Sequence, residues 1–121
     1  LWKAEAQNEL GQYADAVSII NQIRTRARTS VGATGILPPA GTLLNRAAST
    51  DKAVIKDWLI SERRVELGFE SQRMLDLKRW KLAKTVMTAK GKNFQDKHYL
   101  YPLPQAEVDA SAGTLKQNPG Y

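Results

Sequence analysis

The chain has 121 residues, of which 42% are hydrophobic and 25% charged, and its formal net charge is +6. That length fits one domain with a modest core, and the charge allows an acidic partner. No apolar run approaches the ~20 residues of a membrane span, and the absence of cysteine excludes disulfides, thiolate metal sites and cysteine nucleophiles within this segment. The opening residues Leu1–Ala6 are mostly helix formers without an N-cap, which predicts a fragment of a longer protein cut upstream.

Residues 1–28 are predicted to form a helical hairpin. The first helix ends near Leu10 with Gly11 as a left-handed stop, and the second runs from about Tyr13 to Arg28. The apolar positions of the second helix repeat with the spacing of one buried face: Ala16, Ile19, Ile20 and Ile23. The turn between the helices has the G-x-Y-x-x-A pattern of a tetratricopeptide junction, a unit that must bury its faces against neighbours.

Residues 29–50 are a linker rich in Gly, Pro, Ser and Thr. Its Pro-Pro pair forbids a regular helix at that point, and a short helix is expected at residues 42–48. The Ser-Thr-Asp sequence at 49–51 offers an N-cap for the signature helices, which are predicted to run from residue 51 to 84. A break is expected near Gly68, because interior Gly costs about 1 kcal/mol relative to Ala.

Residues 85–121 are predicted to be a loop, a short helix and a tail. A turn at residues 90–93 leads to the extended stretch Tyr99–Pro104, in which each Pro biases the residue before it away from helix. Gln105–Ala110 is predicted to form the short helix, and residues 117–121 a turn-rich tail. Since no strand finds another strand to pair with, the predicted fold class is all-α, with a tetratricopeptide-like hairpin, further helices and long irregular loops.

The stretch Glu62–Trp80 carries charges at helical spacing among its apolar residues. They could be catalytic or metal-binding carboxylates, a solvated face with weak surface pairs, or a structural charge network that fixes how the helix docks. The first interpretation is disfavoured because a di-metal bundle needs Glu-x-x-His pairs, whereas the one histidine, His98, lies far along in a loop. The network is favoured because the carboxylates lie on the apolar side, with an arginine as hub. Its members would be Glu62, Glu66, Glu70, Arg73 (the hub), Asp76 and Arg79.

Aromatic side chains provide the candidates for ligand binding. Tyr99, Tyr101 and Phe94 lie in loop-like sequence, so the two tyrosines are the candidate platform on which a ligand ring could stack. The structural alternative is that a Tyr-x-Pro segment docks on the domain's own helices. Trp58 and Trp80 stand at helical spacing among Ile and Leu and are predicted to belong to the core.

A basic cluster, Arg24, Arg26 and Arg28, ends the second helix. Nucleic-acid binding would need a basic groove with stacking aromatics or a recognition motif, and the sequence has neither. Cations in the last turn of a helix interact favourably with the negative end of its dipole, which is the simpler explanation. The sequence therefore predicts no nucleic-acid partner, and it offers no motif for a metal or a cofactor.

Three motifs in order along the chain point to one family. The run from Ile60 to Trp80, I-x-E-R-R-x-E-L-x-F-E-x-x-R-x-x-D-L-x-R-W, resembles the C-terminal signature of the SusD/RagB family. The closing motif of that family is similar to Leu103–Asp109, L-P-Q-x-E-V-D, followed by Gln117–Tyr121, Q-N-P-G-Y. Residues Glu5–Tyr13 and Ile20–Ala27 are similar to its last repeat hairpin.

The resemblance implies the C-terminal part of an all-α lipoprotein on the outer face of the outer membrane in Bacteroidetes-type bacteria. Such proteins bind glycans or other nutrients, without catalysis, as a lid on a SusC-like TonB-dependent transporter. The lipidated Cys and most ligand-contacting loops would lie upstream, in the N-terminal part of the same protein. The chain departs from the family pattern at Gly68, where Ala is frequent, and at Lys81, where Gly is frequent. The alternative is a tetratricopeptide-like scaffold that binds protein segments.

Overall fold

The computed structural model describes residues 1–32 and 35–121, which divide into two compact units. The N-terminal unit is Leu1–Gly68 and the C-terminal unit is Phe69–Tyr121. The described residues contain helices and no strand, which confirms the all-α prediction for this part of the chain. The elements are α1 (Trp2–Glu9), α2 (Tyr13–Thr29), α3 (Lys52–Glu66), α4 (Gln72–Arg79), α5 (Ala83–Ala89), a 3₁₀ helix (Asp96–Tyr99) and α6 (Gln105–Ala110).

The N-terminal unit packs α1, α2 and α3 around one aliphatic core. The buried side chains that form it are Ala4, Ala16, Val17, Ile20, Ile55 and Leu59. The alanines of α1 and α2 leave room for the two helices to approach closely, while Ile55 and Leu59 project from one face of α3. The predicted face of α2 is therefore present, with Ala16 and Ile20 fully buried and its other members half-buried.

A glycine ends α1 as the sequence predicts. Gly11 has φ +78°, and its N–H donates to the carbonyl of Asn8. The N–H of Gln12 donates to the carbonyl of Gln7 at 2.8 Å, which completes a Schellman motif. The chain can then reverse at once into α2, and this sharp reversal places α1 and α2 side by side.

An aspartate caps α3. The Oδ1 atom of Asp51 accepts hydrogen bonds from the N–H groups of Ala53 at 2.8 Å and Val54 at 3.2 Å. The Oγ atom of Ser49 in turn accepts from the N–H of Asp51. The predicted N-cap cluster is therefore used, and it satisfies backbone donors that the first turn of a helix leaves without partners.

The helix expected at residues 42–48 does not form. Residues 44–50 have no regular structure, and Leu43 has φ +49°, outside the helical region. Side chains of α2 hold the backbone here: Asn21 exchanges hydrogen bonds with the N–H and the carbonyl of Arg46 at 2.7 and 3.0 Å, and the Nε of Arg24 donates to the carbonyl of Leu44. These bonds engage the backbone groups that a helix would need. We call residues 43–50 the strap; of the predicted linker, Ala33 and Thr34 lie outside the described residues.

Two breaks, not one, divide the helices predicted for residues 51–84. The first lies at residues 67–71, where Gly68 led us to expect it. The second follows α4: Lys81 has φ +59°, and the N–H of Leu82 donates to the carbonyl of Leu77 at 2.8 Å. This is the same Schellman geometry as at Gly11, with lysine in the left-handed position. The prediction of helix up to Lys84 was wrong here because a lysine gives no sequence signal for a left-handed turn.

The rest of the C-terminal unit follows the sequence more closely. The turn at residues 90–91 contains Gly91 with φ +70°, and α6 has the bounds predicted for it. The 3₁₀ helix Asp96–Tyr99 was not predicted. Because it ends at Tyr99, the extended stretch begins at Leu100, which has φ −106° and ψ 162°.

Candidate functional site

One of the buried charges of the N-terminal unit is a carboxylate held by two arginines. Glu62 of α3 forms ion pairs with Arg24 of α2 and, at 3.4 Å, with Arg46 of the strap. The Glu62 and Arg24 side chains are only 9% and 11% exposed. The guanidinium of Arg46 also lies 5.4 Å from the ring centroid of Trp58, which packs against the core. The cluster fastens the strap to α2 and α3, and it leaves Glu62 committed to arginines and poorly placed as a general acid or base.

The neighbouring arginines of α2 act in the same way. Arg26 pairs with Glu66 in an exposed position, and Arg28 donates to the carbonyl of Leu43 and to the side chain of Asn45. Arg26 and Arg28 do lie in the last turn of α2, as predicted. Their side chains, however, hold the strap and α3, which a dipole argument does not anticipate. The partners of Glu62 and Glu66 thus come from α2 and the strap, far away in sequence.

The remaining members of the predicted charge network lie in the C-terminal unit. Asp76 is buried and accepts a hydrogen bond from the Nε of Arg79 at 2.9 Å, a pair spaced i, i+3 on α4. Arg73 is half-buried, whereas Glu70 is exposed. The role of Arg73 as hub remains a prediction.

The candidate platform of the C-terminal unit combines tyrosine rings with lysine ammonium groups. Tyr101 is 74% exposed, and the Nζ of Lys78 lies 4.2 Å from its ring centroid. Tyr99 is half-buried, and the Nζ of Lys81 lies 5.1 Å from its ring centroid. Its phenol oxygen accepts a hydrogen bond from the N–H of Lys84. The two rings are thus placed differently: Tyr101 is open to a ligand, while Tyr99 is fixed against its own unit.

Phe94 supports Tyr99. It meets the Tyr99 ring edge-on at 5.2 Å and the His98 ring at 5.4 Å. The Nδ1 of His98 accepts a hydrogen bond from the N–H of Gln95 at 3.0 Å, so this histidine closes the 3₁₀ turn. The arrangement makes Phe94 a buttress for the tyrosine, and it engages His98 in local structure.

The chain's tail lies along the tyrosine segment. The Gln117 side chain exchanges two hydrogen bonds with the backbone of Leu103, and Asn118 donates to the carbonyl of Tyr101. The hydroxyl of Tyr121 donates to the carbonyl of Leu100. Tyr121 takes part in a third contact between a lysine and a tyrosine ring, since the Nζ of Lys97 lies 5.1 Å from its ring centroid. We call the three ring–cation pairs the tyrosine–lysine surface: Tyr99, Tyr101, Tyr121, Lys78, Lys81 and Lys97.

An arginine guanidinium also lies near the ring of each of the other two tryptophans. Trp80 is half-buried, and the Arg79 guanidinium lies 4.4 Å from its ring centroid. Trp2 of α1 is 68% exposed, with Arg63 at 5.5 Å from its ring. Trp58 and Trp80, which were predicted to belong to the core, are both half-buried, and Trp58 packs against the core of the N-terminal unit.

A shallow groove runs between α2 and the strap. One part of it has a volume of about 480 Å³, and an adjoining part of about 440 Å³ shares Ser18 and Asn21 with it. The remaining lining is small or polar, including Ala14, Thr25 and Ser49. Asn21, which both parts share, is already hydrogen-bonded to the backbone of Arg46 in the strap.

Over residues 1–32 and 35–121, no group of three or more His, Cys, Asp or Glu side chains is arranged to hold a metal ion. Within the same ranges, every helix is too short or too polar to span a bilayer.

Comparison with known proteins identifies the family. A model of the SusD family matches residues 1–121. SusD-like protein P2 of Formosa agariphila is 36% identical over 124 aligned residues, which cover 98% of this chain and 23% of the relative. SusD-like protein P38 of the same organism is 38% identical over 87 residues, covering 72% of this chain and 16% of the relative.

The chain spans less than a quarter of the length of these curated relatives. No solved structure matches it significantly. The family match covers every residue, including both the hairpin and the signature stretch. This chain therefore belongs to the SusD family.

Proposed function

We propose that this protein binds a glycan or another nutrient at the outer face of the outer membrane, as the accessory subunit of a SusC-like TonB-dependent transporter, without catalysis. The observation that carries the proposal is the family match over residues 1–121. Family members are binding proteins that work with such a transporter. We further propose that a lipid on an upstream Cys holds the protein at the membrane.

The two units divide the work in this proposal. The N-terminal unit is a scaffold, since its core and its arginine cluster fix α1, α2, α3 and the strap as one body. The C-terminal unit presents Tyr101 to solvent beside Tyr99, and we propose these two as ligand contacts. An exposed tyrosine ring supplies a flat apolar face for a sugar ring and a hydroxyl for a hydrogen bond.

The test is calorimetric titration of the full-length protein with a panel of soluble oligosaccharides. Binding to at least one of them, and co-purification of the protein with a TonB-dependent transporter from outer membranes, are the expected results. A full-length protein that binds no member of a broad panel and remains in the soluble fraction would contradict the proposal.

The runner-up is a tetratricopeptide-like scaffold that binds protein segments. The observation in its favour is the α1–α2 hairpin together with the groove of about 480 Å³ along α2. The parent reading frame separates the two functions. A signal peptide that ends in a lipidated Cys, next to a transporter gene, supports the nutrient-binding role; a cytosolic parent with many tandem repeats supports the scaffold.

A further inference from the structure

The C-terminal unit is electropositive. Residues 69–121 hold nine Lys and Arg against five Asp and Glu, a net charge of +4 out of the chain's +6. A surface of one sign raises the local concentration of ligands of the opposite sign. The unit therefore favours an anionic ligand over a neutral one wherever its cations stand free of carboxylates.

The cations of the tyrosine–lysine surface stand free in that sense. Lys84, nearby, is paired with Asp96 at 3.0 Å. Among the described residues, no carboxylate forms an ion pair with Lys78, Lys81 or Lys97. Their ammonium groups face tyrosine rings instead, at 4.2 to 5.1 Å from the centroids. At exposed sites such cation–π contacts are weak, about 0.5–1 kcal/mol each, so an anion can compete for the ammonium groups.

The rings and cations come from neighbouring stretches of the C-terminal unit. Lys78 lies in the last turn of α4, and Lys81 follows two residues after the helix ends. Their partner rings, Tyr101 and Tyr99, are separated along the chain by Leu100 alone, at the point where the 3₁₀ helix gives way to extended backbone. The tail fixes this segment through the Asn118 amide and the Tyr121 hydroxyl, so the rings are positioned before a ligand arrives.

We propose that the tyrosine–lysine surface binds an acidic sugar, a pyranose that carries a carboxylate or a sulfate. The C–H face of the sugar stacks on the exposed ring of Tyr101, and the acid group pairs with the ammonium groups of Lys78 and Lys81. This inference rests on the proposed nutrient-binding function, and it deepens that function by naming the class of ligand.

The test uses the full-length protein and matched pairs of ligands, in which the anionic group of one member is esterified or removed in the other. Galacturonic acid oligosaccharides are compared with their methyl esters, and κ-carrageenan oligosaccharides with their desulfated forms. At low salt we expect an acidic member to bind about tenfold more tightly than its neutral partner, and the preference to shrink as NaCl rises from about 0.05 to 0.3 M. The pair that shows the preference tells carboxylate from sulfate.

Variants then locate the binding. The double variant Lys78→Gln/Lys81→Gln should lose the preference for the acid, so that it binds the acidic and the neutral partner with affinities within about twofold of each other. Lys78→Arg, which keeps the charge, should retain the preference, while Tyr101→Ala should weaken binding of both partners. Lys116→Gln is the matched control, because it removes an exposed lysine of the same unit that is not one of the cations facing the three rings.

The outcomes separate this inference from the proposed function. Equal affinity for acidic and neutral partners, or an undiminished preference in the double variant, overturns the acidic-sugar inference while the nutrient-binding function stands. Absence of binding to any glycan overturns the acidic-sugar inference, and only together with a full-length protein that remains in the soluble fraction does it also overturn the proposed function. A melting temperature of the double variant equal to that of wild type shows that any lost affinity belongs to the site and not to the fold.

Discussion

The two units use their cations in opposite ways. In the N-terminal unit, Arg24 and Arg46 form ion pairs with the carboxylate of Glu62, and these pairs hold the strap beside a core of aliphatic side chains. In the C-terminal unit, the buried hydrophobic residues among those described are Leu77 and Ala83, and lysines stand over exposed or half-exposed tyrosine rings. The cations of the first unit are thus paired within the fold, whereas the lysines of the second are the groups that we propose for ligand binding.

Each unit also contains a helix that ends in the same type of turn, with a different residue in the left-handed position. Gly11 and Lys81 both occupy the left-handed position of a Schellman motif, at φ +78° and +59°. Glycine adopts that conformation without steric cost, whereas an L-residue pays roughly 1–2 kcal/mol. In this left-handed conformation, the side chain of Lys81 has its ammonium group next to the ring of Tyr99. The C-terminal unit thus gives up stability at the position where the proposed site needs a cation.

The largest expected effect concerns the buried cluster. Glu62→Ala leaves the guanidinium of Arg24 buried without its carboxylate, and we expect a loss of about 3–5 kcal/mol in the free energy of unfolding. Glu66→Ala, the matched control, removes the exposed partner of Arg26 and should cost at most about 1 kcal/mol. Denaturant unfolding of both variants measures the difference. Equal losses would show that the two pairs are equally solvated.

The hub predicted for the C-terminal unit gives the next effect. Arg73→Ala should destabilise the fold by about 3 kcal/mol, since it removes the cationic partner of the predicted carboxylate network. Thermal unfolding monitored by circular dichroism is the measurement. A melting temperature unchanged from wild type would mean that the charges around Arg73 form a solvated face.

The two turns provide a matched pair of substitutions. Gly11→Ala introduces a side chain at positive φ and should destabilise by about 1 kcal/mol, whereas Lys81→Gly relieves the same strain and should stabilise by a similar amount. Lys81→Gly should at the same time weaken binding of an acidic sugar, because the cation is lost. Melting temperatures and titrations of both variants test this opposition. A destabilised Lys81→Gly would contradict the account of the turn.

The smallest effect is electrostatic. The hydrogen bond and charge of Glu9 raise the pKa of Lys52 above 10.5. Because the pKa is raised in the folded state, the stabilisation is complete below 10.5 and is lost as the pH rises through the folded-state value. The difference in melting temperature between wild type and Glu9→Gln should be small at about pH 9 and should shrink as the pH rises above 10.5. A difference that grows with pH would contradict the assignment.

The sequence predicts the elements that local signals define. Gly11 marks the end of α1, Asp51 caps α3, and α6 has the bounds expected from its flanking prolines and polar residues. The strap was missed because it depends on side chains of α2, which compete with helical hydrogen bonds from a distance in sequence. The break after α4 was missed because the left-handed residue there, Lys81, has no intrinsic preference for that conformation.

In the candidate site, too, the sequence predicts what local signals define and misses what depends on contacts between distant residues. Loop-like sequence around Tyr99 and Tyr101 was enough to nominate them, and Tyr101 is indeed exposed. The cations over their rings come from α4 and the turn after it. These contacts join residues that are distant in sequence, so they could not be predicted from the sequence alone. The charge network shows the same limit, since the partners of Glu62 lie 16 and 38 residues away in the sequence.

The central claim is that the C-terminal unit carries ligand contacts while the N-terminal unit is a scaffold. The most direct measurement is the calorimetric affinity of full-length wild type and Tyr101→Ala for an oligosaccharide that wild type binds. We predict that the dissociation constant of the variant is about tenfold higher while its melting temperature is unchanged. An unchanged dissociation constant would contradict the claim and place ligand binding elsewhere in the protein.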